Sequence, residues 1–182
     1  RTRPPRGDRS GSLAAVTDLP RRAAVVIVGG GVMGASAAFH LAEAGVRDVL
    51  LLEQGQLASG STSRAAGGVR AQFSDPVNIA LGLRSLALFD DFARRPGGEI
   101  GLHTVGYLFL LDRAEDVPRF EASIALQNEH GVPSRLIDLA EARRLSPLLG
   151  TDGAVAATFC PIDGHCSPEA VVLGYATAAR AL

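Results

Sequence analysis

Unbroken apolar runs at Val25-Val26-Ile27-Val28 and Val49-Leu50-Leu51-Leu52 read as strands buried on both faces. Between them a glycine cluster, Gly29-Gly30-Gly31-Val32-Met33-Gly34, opens an apolar stretch of helical length, and an acid, Glu53, closes the second run. From Gln54 to Arg70 the periodicity disappears and nearly every side chain is small. Asp75-Pro76 then predicts a capped helix with Ile79, Leu83, Leu86 and Phe89 on its apolar face, running to about Arg95 and stopped by Pro96-Gly97-Gly98. His103–Leu111 reads as a strand, Glu115–His130 as a helix closed by Gly131, and Asp138 with Glu141 as the start of a short helix ending at Pro147. A strand over Asp152–Phe159 and a helix opened by Ser167-Pro168-Glu169 complete the pattern, with no sequence repeat.

The order strand, glycine turn, helix, strand, acid is that of a dinucleotide half-site. Gly29 permits the tight turn, Gly31 lets main chain approach a pyrophosphate, and Gly34 lets helix and strand pack closely. The helix N-terminus, worth roughly half a positive charge, faces the phosphates with the amides of Val32 and Met33. Glu53, with Gln54 beside it, is placed to receive the ribose hydroxyls. A carboxylate there repels a 2′-phosphate, so NADP is disfavoured and FAD or NAD remain.

Composition narrows the classes further. At 182 residues, 47% hydrophobic and 20% charged, the chain is globular and long enough for one domain plus part of another. Its net charge is −1, yet residues 1–22 carry six arginines and two acids while the remainder carries twelve arginines and 17 acids. The mildly acidic folded part argues against a nucleic-acid groove. All 18 basic residues are arginine, which removes P-loop, Schiff-base and general-base lysines. Residues 1–22 read as a disordered leader whose prolines spoil an amphipathic presequence helix. Ala23–Val46 is apolar but is broken as a membrane span by Gly29–Gly31, His40 and Glu43. Cys160 and Cys166, with His165 between them, are too few for a zinc site, so no metal is expected, and both suit free thiols in a reducing cytoplasm. His40, His103, Tyr107 and His165 are assigned to packing or turns, His165 following Asp163-Gly164 as a tight-turn pair.

Taken with Ala58-Ser59-Gly60-Ser61-Thr62-Ser63-Arg64-Ala65-Ala66-Gly67-Gly68-Val69-Arg70, and with Asp163-Gly164-His165 before Pro168-Glu169, the Val25–Glu53 unit resembles the D-amino-acid-oxidase-type FAD-dependent oxidoreductases, especially the sarcosine oxidase β-subunit, dimethylglycine dehydrogenase and proline dehydrogenase group. The resemblance runs from about Ala23 to Leu182. It implies an α/β fold, a Rossmann-like FAD-binding domain with part of an α+β substrate domain. The FAD domain would hold residues 23–100 and resume at 161–182, with residues 101–160 as the partial substrate domain. Ser61, Thr62, Gly67 and Gly68 would contact FAD, and Arg64 lies among them where some relatives bond a histidine covalently to the flavin (Gly-Ser-Thr-Trp-His). FAD is therefore expected to be non-covalent here. Arg70 falls where sarcosine-oxidase-like members hold the substrate carboxylate. The implied chemistry is hydride transfer from the carbon beside nitrogen of a secondary or tertiary amino acid to flavin, leaving an imine that water hydrolyses. Other oxidase or dehydrogenase subunits are possible partners, and the chain is expected to be an N-terminal portion. The alternatives are an NAD-dependent dehydrogenase, disfavoured because no third Rossmann strand follows, and a non-catalytic nucleotide-binding fragment.

Overall fold

The computed structural model describes residues 19–182; residues 1–18 of the expected leader lie outside the described residues. Strand β1 (Val25–Val28) and strand β2 (Val49–Leu52) pair in parallel, Val25 opposite Val49 and Val28 opposite Leu52, joined through helix α1 (Val32–Glu43). Ile27 faces α1, but the expectation of buried strands fails on the other side: with only two strands in this sheet among the described residues, Val26 and Val28 point to an open face, Val28 being 85% exposed.

The small-residue segment that follows forms turns, a short 3₁₀ turn at Thr62–Arg64 and a two-residue strand, β3 (Gly68–Val69). Helix α2 (Pro76–Asp90) starts on Asp75, whose carboxylate accepts from the Asn78 N–H at 2.9 Å, with proline at the first position. It ends at Asp90, five residues before the sequence pattern suggests, because Asp91 leaves helical geometry (φ −94°, ψ 6°); the chain then passes through the irregular turn Ala93–Gly97, in which Arg95 is non-helical.

Strand β4 (Tyr107–Leu111), helix α3 (Val117–Glu129), strand β5 (Arg135–Ile137), helix α4 (Leu139–Leu145) and strand β6 (Ala156–Cys160) form an antiparallel sheet of order β4-β6-β5. Phe109 lies opposite Thr158, and Arg135 opposite Phe159. Every residue of β6 is buried because it is central. The predicted strands shorten at their N-terminal ends: β4 starts at Tyr107 rather than His103, and β6 at Ala156 rather than Asp152. Positive φ at Gly106 (82°) and at Gly153 (80°) takes the main chain out of extended geometry before each. β5 escapes sequence detection, since three residues carry no periodicity.

Asp163-Gly164 is not the tight turn that the sequence suggests. The turn lies at Pro161-Ile162, and Gly164 enters strand β7 (Gly164–His165), antiparallel to β3 with Gly68 opposite His165. Gly164 is needed there because a Cβ would sit 2.0 Å from the His103 carbonyl oxygen. Helix α5 (Pro168–Ala181), capped by the Ser167 hydroxyl on the Ala170 N–H at 3.3 Å, packs along α1. Ala35, Ala38 and Ala42 of α1 permit close approach, and Phe39 meets Tyr175 with ring centroids 5.5 Å apart. Burying side chains such as Val171, Val172, Phe39 and Tyr175 is worth roughly 1.5–3 kcal/mol each for the aliphatic and phenyl groups, which is what holds this layer together.

Candidate active site

The turn between β1 and α1 is built from main chain. Gly29 adopts φ +107° and donates its N–H to the Leu52 carbonyl at 2.7 Å, tying the turn to the end of β2. A Cβ on Gly34 would lie 1.9 Å from the Gly29 carbonyl oxygen, so only glycine allows α1 to leave the turn at this angle. A Cβ on Gly31 would come within 3.2 Å of Thr62 Oγ1. That hydroxyl accepts from the Val32 N–H at 3.2 Å, and the Ala35 N–H closes the first helical turn on Gly31. The Met33 and Gly34 amides are left without an acceptor among the described residues, at the positive end of the helix dipole.

Glu53 spans the same turn. One carboxylate oxygen accepts from the Gly30 N–H at 2.7 Å and the other from the Gly55 N–H at 2.9 Å. These bonds hold its carboxyl below the ordinary range, the Gly30 bond contributing most. Each oxygen keeps a further lone pair for a hydroxyl donor.

Beside α1 lies a cleft of about 340 Å³ whose walls include Val32, Thr62, Gly67, Gly68 and Pro168. Thus four of the expected contacts converge, whereas Met33, Gln54, Ser61 and Arg64 are exposed and line none of it. Gly67, at φ +74°, has no room for a side chain: its Cβ would stand 2.1 Å from the Cys166 carbonyl oxygen.

Three residues beyond Gly67 the chain delivers Arg70 to a second cavity of about 300 Å³, lined by Phe73, Phe109, Phe120, Ile124 and Gln127 among others. The guanidinium carbon stands 4.9 Å from the Phe73 ring, 5.3 Å from Phe109 and 5.9 Å from Tyr107. Arg70 Nη1 donates to the Gln72 carbonyl at 3.3 Å, and no carboxylate pairs with it among the described residues. A half-buried guanidinium among aromatic walls, with no carboxylate on it, is a receptor for an anion. The other arginine of this cavity, Arg119, is exposed and already bridged to Asp116 at 2.9 Å.

Sequence reasoning passed over several residues of both sites. Gly30 is also crowded, since a Cβ would meet the end of the Leu57 side chain at 2.5 Å and Glu53 Cβ at 3.0 Å; the three-glycine run was its signal. Ala58, buried at φ +66°, donates to the Gly30 carbonyl at 2.9 Å and closes the loop over the turn. Gln72 and the fully buried Asp163 meet at 3.1 Å across 91 residues, and no local pattern signals that contact. Burial pushes the Asp163 carboxyl upward in pKa, against the pull of the Ala71 N–H and the Gln72 amide. Tyr107 touches both regions, reaching Arg70 and standing 3.4 Å from where a Gly68 Cβ would be. His40 pairs with Glu43 near Arg95, and His103 faces His165 at 5.1 Å; neither lines the Arg70 cavity. No group of three or more metal-ligating side chains is present, and no helix is long and apolar enough to cross a membrane, among the described residues.

Comparison with known proteins agrees with this construction. The family model described as FAD dependent oxidoreductase (DAO) matches residues 24–182. Mitochondrial dimethylglycine dehydrogenase from Rattus norvegicus is 36% identical over 160 residues, covering 87% of this chain and 19% of that protein. The mitochondrial pyruvate dehydrogenase phosphatase regulatory subunit from Mus musculus is 34% identical over 161 residues, covering 88% of this chain and 18% of its own length. Among solved structures, L-proline dehydrogenase from P. horikoshii superposes with a TM-score of 0.82 at 36% identity, covering 90% of this chain and 43% of that one. The chain therefore spans about a fifth of these curated relatives and under half of the solved one. A match across nearly the whole chain, on a fold whose glycines and unpaired arginine stand as described, makes this chain a member of the FAD dependent oxidoreductase (DAO) family.

Proposed function

We propose that the chain supplies the nucleotide-binding turn and the carboxylate-holding arginine of an enzyme that oxidises the C–N bond of a secondary or tertiary amino acid. The observation that carries this reading is Arg70, a guanidinium without an acidic partner among the described residues, set among aromatic rings two residues after Gly68. The names of the relatives, a dimethylglycine dehydrogenase and a proline dehydrogenase, support that substrate class. The NAD-dependent alternative is set aside, because the family is FAD-dependent.

The residues present fit FAD. The free Met33 and Gly34 amides would take pyrophosphate oxygens, Glu53 the ribose hydroxyls, and the side-chain-free surface of Gly67 and Gly68 would admit a flat ring. When bound, FAD supplies the hydride acceptor. Arg70 would bind the substrate carboxylate by two parallel N–H···O bonds, with Phe73, Phe109 and Tyr107 around the guanidinium. With Arg64 exposed in place of a bonding histidine, we assign FAD as non-covalent. Residues 101–160 are assigned to the substrate side, supported by their separate antiparallel sheet. A cytoplasmic setting is supported by two free, buried cysteines, Cys160 and Cys166.

A second reading, a binding or regulatory module, is favoured by the relative named as a regulatory subunit. Titrating the complete protein with sarcosine, dimethylglycine and L-proline separates the two. Bleaching of the flavin absorbance by one of these selects the enzyme; bound flavin that none of them bleaches selects the module.

A further inference from the structure

Asp163 has no exposed atom to offer a ligand, yet it is the point where the Arg70 segment is fastened. Its Oδ1 accepts from the Ala71 N–H at 2.8 Å, its Oδ2 from Gln72 Nε2 at 3.1 Å, and its main-chain carbonyl from the Gly106 N–H at 2.8 Å. Gln72 extends the network, donating to the Tyr107 carbonyl at 3.0 Å and accepting from the Thr158 hydroxyl at 3.3 Å. The Gln72 carbonyl in turn receives Arg70 Nη1. One buried carboxylate thus ties the two residues after Arg70 to β4, to β6 and to the start of β7.

Burying an acid is costly unless every lone pair facing a donor is used, and an apolar side chain of similar volume would stabilise the core at least as well. What an apolar residue cannot do is hold a main-chain N–H and a side-chain amide at once. Asparagine cannot do so either, since its NH₂ would face one of those two donors.

We propose that Asp163 is a positioning residue for the substrate carboxylate: by clamping Ala71 and Gln72 it holds the Arg70 guanidinium between Phe73 and Phe109 with its free edge toward the cavity. This rests on the reading of Arg70 as the carboxylate holder. Asp163 acts through Arg70 and touches neither substrate nor flavin.

The test uses the complete flavoprotein with Asp163→Asn, Arg70→Lys and the double variant. Two quantities are read: KM and kcat for whichever of sarcosine, dimethylglycine or L-proline is oxidised, and the dissociation constant of acetate from the shift it causes in flavin absorbance. Asp163→Asn is expected to raise both KM and the acetate constant about tenfold, with kcat and flavin content within about twofold, since a small misplacement of an anchoring group has that scale of effect. In the Arg70→Lys background the same change should add less than about twofold, because the group it positions is already altered. Full additivity overturns the proposal, as does a loss of flavin with acetate binding unchanged. If Arg70→Lys itself leaves acetate binding and KM unchanged, the reading of Arg70 has failed, and the proposal with it. Should Asp163→Asn not accumulate as folded protein, Gln72→Met carries the test: a rise in the acetate constant that vanishes in the Arg70→Lys background supports the clamp, and an unchanged constant overturns it.

Discussion

In the β1–α1 turn most of the working groups are main-chain atoms, joined by the Glu53 carboxylate and the Thr62 hydroxyl, whereas around Arg70 they are side chains gathered from β4, α3 and the segment before α2. The first region does its work by leaving side chains out. Gly34 in the turn and Gly67 in the cleft beside it each have a main-chain oxygen within 2.1 Å of where a Cβ would stand. The second works by bringing side chains in, three rings within 6 Å of one guanidinium. A steric site of the first kind fails abruptly when an atom is added. A polar site of the second kind fails in degrees as each contact is weakened.

Gly34→Val is the hardest test of that contrast, since backbone at both sides of the 1.9 Å approach cannot rotate away. The expected cost is about 3 kcal/mol or more of stability, with FAD affinity lost along with it, read by thermal melting and flavin titration. Retained affinity would break the claim that this turn is sterically exclusive. Arg70→Lys should come next, raising KM for amino-acid substrates by about ten- to a hundredfold, roughly 1.5–3 kcal/mol, with FAD binding unchanged. If FAD affinity falls while KM holds, Arg70 belongs to the cofactor and the two regions merge. Thr62→Val removes the acceptor of the Val32 N–H and should cost about 1 kcal/mol in a melting experiment. No change would show that water caps α1 equally well.

The smallest expected effect is a pair of opposite tilts in stability against pH. Glu53 has its carboxyl lowered by main-chain donors, so its contribution is present above the ordinary glutamate value and lost as pH falls through the folded pKa. Asp163 has its carboxyl raised by burial, so its contribution is full below the ordinary aspartate value and declines as pH rises through the folded pKa. Melting temperatures across the acid range for Glu53→Gln and Asp163→Asn should each lose one of these tilts. Both variants losing the same limb would contradict the assignment.

The helix starts show how far local chemistry reaches. Asp75, Asp138 and Ser167 cap α2, α4 and α5 as their sequence context predicts, each accepting from the N–H three residues on. The two-residue strands β3 and β7 show where it stops: they exist only because Gly68 and His165, far apart in the chain, come face to face. Gly164 illustrates the same limit, for its absent side chain answers to the His103 carbonyl rather than to a turn.

The sequence by itself determined the β1–α1–β2 unit, the helix caps and the family, because each depends on steric and hydrogen-bonding needs met within a few residues. Only the tertiary structure decided that Arg70 has no acidic partner among the described residues, that Tyr107 stands between the two regions, and that Gln72, Thr158 and Asp163 form one buried network. Those relations join residues 86 and 91 positions apart, and their geometry comes from how the antiparallel sheet sits against the segment after Gly67. Local periodicity reports which face of an element is buried; it carries no information on which distant polar group will be waiting there.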